Sequence, residues 1–190
     1  MNKAETIEKI LTAATREIHL KGVDRASISA IADEAQVTKQ LVYHYFKSKD
    51  QLCISILEAA AKGMRLSKNV AIYREMNPDD AICRMIDLIF TGFANNPGYA
   101  VLALDQAIHR GEHMSRANDF TESMRAFISD TFAEVLQRGE QQGIFRANLD
   151  ANITFWMIFN LVASCFLNEH MMSQITHIDF QSESGSALWH

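Results

Sequence analysis

Thr38-Lys39-Gln40-Leu41 and Tyr43-His44-Tyr45 set side chains of the kinds that read DNA almost end to end in the chain. Phosphate oxygens take cations and hydrogen-bond donors, and base edges take forked or amide donors and acceptors. Thr38 can offer its hydroxyl, and the free amides that follow it at a helix start, to a phosphate. Lys39 suits the acceptor edge of guanine, Gln40 pairs with adenine, and Leu41 packs on a thymine methyl.

Two short helices are needed to position these groups. Ile28, Ile31, Ala32 and Ala35 recur at spacings of three, four and seven, one face of a helix. Ser27 is its expected N-cap, with the hydroxyl taking up an orphan amide of the first turn. Gln36-Val37 interrupts the pattern and Thr38 caps a second helix, about Lys39 to Tyr45. That helix turns Val42 inward, with Phe46 four residues later, and shows Lys39, Gln40, Tyr43 and His44 on its other face. This is a helix-turn-helix over about 27–46, with a basic and aromatic second helix suited to a major groove.

The same residues carry a family likeness. Gly22, Ser27-Ile28, Ile31-Ala32, Ala35, Val37-Thr38-Lys39 and the run from Val42 to Leu52 resemble the signature of the tetracycline-repressor (TetR) family. The resemblance covers about the first 55 residues and thins afterwards. It implies backbone contacts by Tyr43 and Lys49, and further contacts by Tyr45, its neighbour His44, Ser27 and Ser29. Against it stands a plain helical bundle with polar exposed residues, which the number of matching positions disfavours. Two departures matter. Gln36 stands where the family has a turn glycine, and a left-handed Gln costs about 1–2 kcal/mol. Gln40-Leu41 stands where Gly-Thr is frequent, which bears on the operator that is read.

Composition divides the chain in two. Residues 1–74 hold twelve Lys or Arg against eight Asp or Glu, a net of +4, whereas residues 75–190 hold six against fifteen, a net of −9. The first part can approach phosphate; the remainder is repelled by it. The three cysteines, Cys53, Cys83 and Cys165, are far apart and form no C-x-x-C pair. They argue against a zinc site or a disulfide framework and for a reducing cytoplasm. All three fall on expected apolar faces, as inert buried thiols. Met1 to Lys9 is polar and no apolar signal region follows.

The rest of the chain reads as helices. The first runs from about Ala4 to Lys21 and stops at Gly22; a fourth runs from Lys49 to Asn69, capped by Ser48. Its end carries Lys62, Arg65 and Lys68, with Arg74 beyond, read as a solvated side in preference to an extended DNA face. Further helices are expected from Pro78 to Ala94 (apolar at Ile82, Ile86, Ile89, Phe90 and Phe93) and from Tyr99 to His109. A long amphipathic helix runs from Asn118 to Gln142, and a last one from Asp150 to Met172 is apolar nearly all round. The apolar run of that last helix is too short for the ~20 residues a bilayer needs. A helix apolar on all sides is buried, and a second copy can supply part of the cover. The last two long helices are therefore expected to form a homodimer, and the family likeness implies the same. The tail from Gln181 to His190 is expected to be loose.

The C-terminal part holds a supply of large apolar side chains, among them Phe90, Phe93, Tyr99, Leu102, Phe127, Trp156 and Phe159. With nearby methionines these can wall an adaptable pocket for an apolar or aromatic effector, or simply form core. His109 is added as a pocket histidine. His109 and His113 have the i, i+4 spacing of a metal pair, but Gly111 breaks the helix between them, so no metal is expected. No cofactor is expected either, and no catalytic motif is present.

The expectation is an all-α, homodimeric regulator without enzymatic activity. Residues 1–48 form the DNA-binding domain, and residues 49–190 form a helical effector-binding and dimerisation domain. Its partners are double-stranded operator DNA, a second copy and an unidentified small molecule, with no membrane. The alternative is an effector-independent architectural or cell-division factor on the same scaffold.

Overall fold

A computed structural model describes residues 2–64, 70–178 and 182, and among these every regular element is helical. The residues group into two units, 1–63 with 95–122 and 64–94 with 123–190.

The first unit is built on α1 (Lys3–Arg25), whose Ile10, Ala13, Ala14 and Ile18 are buried. Gly22 interrupts the helix after Lys21, as its sequence position leads one to expect. It takes φ +76° and breaks the helical path, which resumes for one short turn to Arg25. α2 (Ile28–Glu34) packs on α1, and α3 (Lys39–Phe46) packs on α2. Between them Gln36 adopts φ +56°. The Val37 amide donates to Ala32 and the Gln36 amide to Asp33 (2.9 and 3.1 Å). Those two bonds form a Schellman ending, which needs a left-handed residue, so Gln36 carries the strain that a glycine would escape. Lys47, also at φ +56°, ends α3. Ser48 Oγ then accepts from the Gln51 amide (3.1 Å) at the start of α4 (Lys49–Met64). The expected continuation of that helix, with Arg65 and Lys68, lies outside the described residues.

Two later helices are α5 (Val70–Glu75) and α6 (Pro78–Asn95). α7 (Gly98–Ile108) packs along α1. The helices come close at Gly98, where a Cβ would overlap the Thr15 carbonyl. A loop with a 3-10 turn, Met114–Arg116, follows α7 and is stitched to α4 and back to α7. Arg116 Nη2 donates to Asp50 Oδ2 (3.2 Å), and Gln106 Oε1 accepts from the Met114 amide (2.9 Å).

In the second unit the buried stripe of α6 is Ala81, Met85, Ile89 and Phe93. It is rotated from the expected stripe, so Ile82, Ile86 and Phe90 are half-buried and Cys83 is exposed. The expectation of three buried thiols therefore fails for Cys83 alone. The Arg138 guanidinium donates to the carbonyls of Tyr73 (2.7 Å) and Arg74 (2.6 Å), closing the end of α5.

The expected single helix from Asn118 to Gln142 consists of α8 (Asn118–Ala126), a π-helical turn (Phe127–Phe132) and α9 (Ala133–Gln141). The wider i→i+5 turn brings residues five apart onto nearly one line. Phe127 and Phe132 are both buried as a result, with ring centroids 6.0 and 5.5 Å from Phe155. Asp150 caps α10 (Ala151–Leu167), accepting from the Ile153 amide at 2.9 Å. The helix does not continue to Met172: the chain bends by 70° into α11 (Glu169–Thr176). Among the described residues no single helix is long and apolar enough to cross a membrane. The expected loose tail lies outside the described residues except for Ser182.

Candidate nucleic-acid interface

α3 is amphipathic, with one face buried and the other open. Val42 and Phe46 are buried beneath it, whereas Lys39, Gln40, Tyr43 and His44 are exposed and Leu41 and Tyr45 half-buried. Burying each of the two anchors is worth about 1.5–3 kcal/mol, which fixes the rotation of so short a helix. Thr38 is the N-cap, its Oγ1 accepting from the Leu41 amide at 3.2 Å. The hydroxyl hydrogen and the first-turn amides of Lys39 and Gln40 point to no acceptor inside the helix, so they suit a phosphate oxygen. The His44 and Tyr45 rings meet edge to face at 5.2 Å, and Tyr45 in turn meets Phe46 at 6.4 Å. The exposed rings are thereby tied to the buried anchor.

Ser27 occupies the N-cap position of α2 but makes no side-chain cap bond, contrary to expectation. Its amide donates to Glu17 Oε1 at 3.1 Å, and the same oxygen accepts from Lys21 Nζ at 2.9 Å. A carboxylate from α1 thus satisfies the head of α2, leaving the Ser27 hydroxyl uncommitted and Ser29 exposed. The Lys21 hydrogen bond, with the Ser27 amide, holds the buried Glu17 carboxyl below the usual carboxylate range. Sequence reasoning missed Glu17. Its one legible signal was Lys21 four residues on, a common helical pair.

Lys49 is half-buried, with Nζ donating to the carbonyls of Asp24 (2.8 Å) and Ala26 (3.4 Å). It joins the start of α4 to the end of α1. One ammonium hydrogen of the three remains for a phosphate.

The geometry is that of a helix-turn-helix head. The family model for bacterial regulatory proteins of the tetR family matches residues 10–56, and that for the tetracyclin repressor-like C-terminal domain matches residues 78–190. The chain belongs to the TetR family. It is a DNA-binding transcriptional regulator, and homodimers are typical of the family. The transcriptional repressor NicS of Pseudomonas putida is 22% identical over 187 residues, 97% of this chain and 86% of that one. Among solved structures, the haemolysin II transcriptional regulator HlyIIR superposes with TM-score 0.66 at 24% identity, covering 91% of this chain and 93% of that one. FadR of Bacillus subtilis, solved with stearoyl-CoA, gives TM-score 0.62 at 21% identity, covering 88% of each.

The residues expected around an effector fall into the two units of this TetR-family chain. Tyr99, Leu102 and His109 lie in the first, with Leu102 buried, Tyr99 half-buried and His109 exposed. Phe90, Phe93, Phe127, Trp156 and Phe159 lie in the second, joined through an aromatic cluster. Phe93 meets Phe159 at 5.5 Å, Phe159 meets Trp156 at 5.2 Å, and Phe90 meets Phe166 at 5.1 Å. Phe93 and Phe127 are buried core. A cavity of about 420 Å³ opens between α6 and α10, and of the five it is lined by Phe90 alone, together with Ile86, Asp87, Ile158, Val162 and other α6 and α10 residues.

The two helices expected at the dimer interface differ. The stretch from Asn118 to Gln141 turns Phe120, Met124, Phe127, Ile128, Phe132, Val135 and Leu136 inward. α10 instead leaves Ile153 (62%), Trp156 (40%), Met157 (62%) and Leu161 (67%) exposed on one face, and α11 adds Met171 and Ile175.

Proposed function

We propose that this regulator is a repressor that leaves its operator when a small molecule binds the C-terminal domain. The observation that carries the DNA half of the reading is α3. Its apolar anchors are buried while Lys39, Gln40, Tyr43 and His44 remain exposed. In this reading Tyr43, Lys49, Thr38, Ser27 and Ser29 take the backbone, and Lys39, Gln40 and Leu41 take base edges, with His44 and Tyr45 alongside. Two copies, paired through the exposed apolar face of α10 with α11, would present two α3 helices to half-sites about 34–36 Å apart. Such a chain works where its operator is, in the bacterial cytoplasm.

The effector half rests on the about 420 Å³ cavity and on the aromatic cluster, both suited to an apolar or aromatic ligand. NicS is named a repressor, and FadR was solved with stearoyl-CoA. To act as a switch, the ligand must bind the released state more tightly than the operator-bound one.

The test is a fluorescence-anisotropy titration of the purified protein on operator and random DNA, repeated with ligands that raise its melting temperature. Tyr43→Phe weakens both DNAs alike, whereas Gln40→Ala relaxes choice at one base pair by about 1–3 kcal/mol. A stabilising ligand releases the operator. Equal losses for both variants on both DNAs would overturn the division of roles. Silence across a metabolite panel, with DNA binding intact, would favour an effector-independent factor.

A further inference from the structure

The His109/His113 pair that the spacing suggests is split by the fold. His113 turns to Gln106, with its Nδ1 3.0 Å from Gln106 Nε2, and to Asp50, with its Nε2 3.7 Å from Asp50 Oδ1. His109 turns instead to the end of α1. There one imidazole nitrogen of His109 and carboxylate oxygens of Asp24 and Asp105 all lie within 4.8 Å of one another. We propose that Asp24, Asp105 and His109 bind a divalent transition-metal cation of the Zn²⁺, Ni²⁺ or Co²⁺ class, tying the last turn of α1 to the end of α7.

Charge is the first argument. The side chain of Asp105 is 8% exposed, and its ion-pair contacts are His109 Nδ1 at 3.1 Å and His113 Nδ1 at 3.6 Å. Among the described residues no lysine or arginine pairs with the carboxylate of Asp24 or Asp105. The nearby Lys49 ammonium is turned to the backbone carbonyls of Asp24 and Ala26. Two carboxylates this close, one of them buried, repel each other, and a cation between them would relieve that repulsion.

Geometry is the second argument. Donors around a cation at about 2.0–2.2 Å lie at most about 4.4 Å apart, so small side-chain rotations close the site. The surroundings hold it ready, as outer partners of metal ligands do. Gln106 Nε2 donates to Asp105 Oδ2 at 3.1 Å, while Gln106 Oε1 is held by the Met114 amide at 2.9 Å. Two carboxylates and one imidazole favour the later first-row divalent ions and leave positions for water or a small anionic ligand. The proposal does not depend on the effector reading. It concerns the unit that carries the DNA-contacting helices, and a bound cation would stiffen the join between α1 and α7.

The test uses the full chain after chelator treatment, titrated calorimetrically with ZnSO₄, NiCl₂ and MgCl₂, with melting curves in parallel. The expected result is one Zn²⁺ or Ni²⁺ per chain, a raised melting temperature, and no response to Mg²⁺ at equal concentration. Asp24→Asn and His109→Ala, both at exposed positions, lower the affinity about tenfold or more. His177→Ala, at an exposed histidine outside the cluster, leaves it unchanged. With Co²⁺, the absorption spectrum shows nitrogen and oxygen coordination without a thiolate charge-transfer band. Absence of binding, binding untouched by Asp24→Asn and His109→Ala, or a thiolate band would each overturn the proposal.

Discussion

Glu17 works at the smallest scale, as one carboxylate that organises the entrance to the reading head. Its oxygen accepts from both Lys21 and the Ser27 amide, and the Lys21 bond is the main reason that its carboxyl lies below the ordinary range. A carboxyl depressed by folding contributes stability that is present above its unfolded value, near 4.5. That contribution is lost as the pH falls through the lower folded value. Glu17→Gln should therefore lower the urea midpoint at pH 7, and the gap from the parent protein should narrow as the pH falls below about 4.5. A gap that stays constant to pH 3 would show that the charge is idle. Asp50, held low chiefly by the Arg116 guanidinium, adds to the same acid limb. Beyond the Glu17–Lys21 spacing neither role was legible in the sequence, because the Ser27 amide meets Glu17 only after α2 folds back on α1, and Arg116 meets Asp50 only after the loop following α7 reaches α4. The exposed face of α3 was legible, since the spacing of Val42 and Phe46 alone fixes which residues turn outward.

At the scale of elements, helix existence followed from apolar spacing and punctuation, while helix ends and faces followed from packing. Asn95-Asn96-Pro97-Gly98 announces a turn. It does not announce that Gly98 lies against the backbone of α1, where a Cβ would overlap the Thr15 carbonyl oxygen and crowd its methyl. Gly98→Ala should cost about 1–3 kcal/mol, as overpacking against an unyielding neighbour does. Because α7 packs along α1, the loss should appear in thermal melts of the whole protein. An unchanged melting temperature would mean that α7 sits farther from α1 than described. The stripe of α6 was misplaced for a related reason. Ile82, Ile86 and Phe90 are as apolar as the residues that are buried, and only the packing selects Ala81, Met85, Ile89 and Phe93. The 70° bend after Leu167 likewise had no glycine or proline to mark it.

For the molecule as a whole, the near-continuous apolar run of α10 pointed to burial, and one protomer buries only part of it. Phe155, Val162, Ala163 and Cys165 are covered, while Ile153, Met157 and Leu161 remain open. A charge placed at the centre of that open face should prevent pairing of copies. Leu161→Glu is expected to sediment as a monomer with an unchanged helical circular-dichroism spectrum. It should also bind operator much more weakly, since each copy then holds one half-site alone. A Leu161→Glu protein that remains a dimer would move the interface elsewhere. The π-helical turn at Phe127–Phe132 gives this chain a tolerance of a different kind. Loss of a single codon between Phe127 and Phe132 would let the backbone relax to an ordinary α-helix in which the two rings stand at i and i+4, still on the face toward Phe155. A one-residue change of length is thus taken up by the width of the turn and leaves the flanking faces in place, and alignments through this helix should carry a one-residue gap where relatives lack the wide turn.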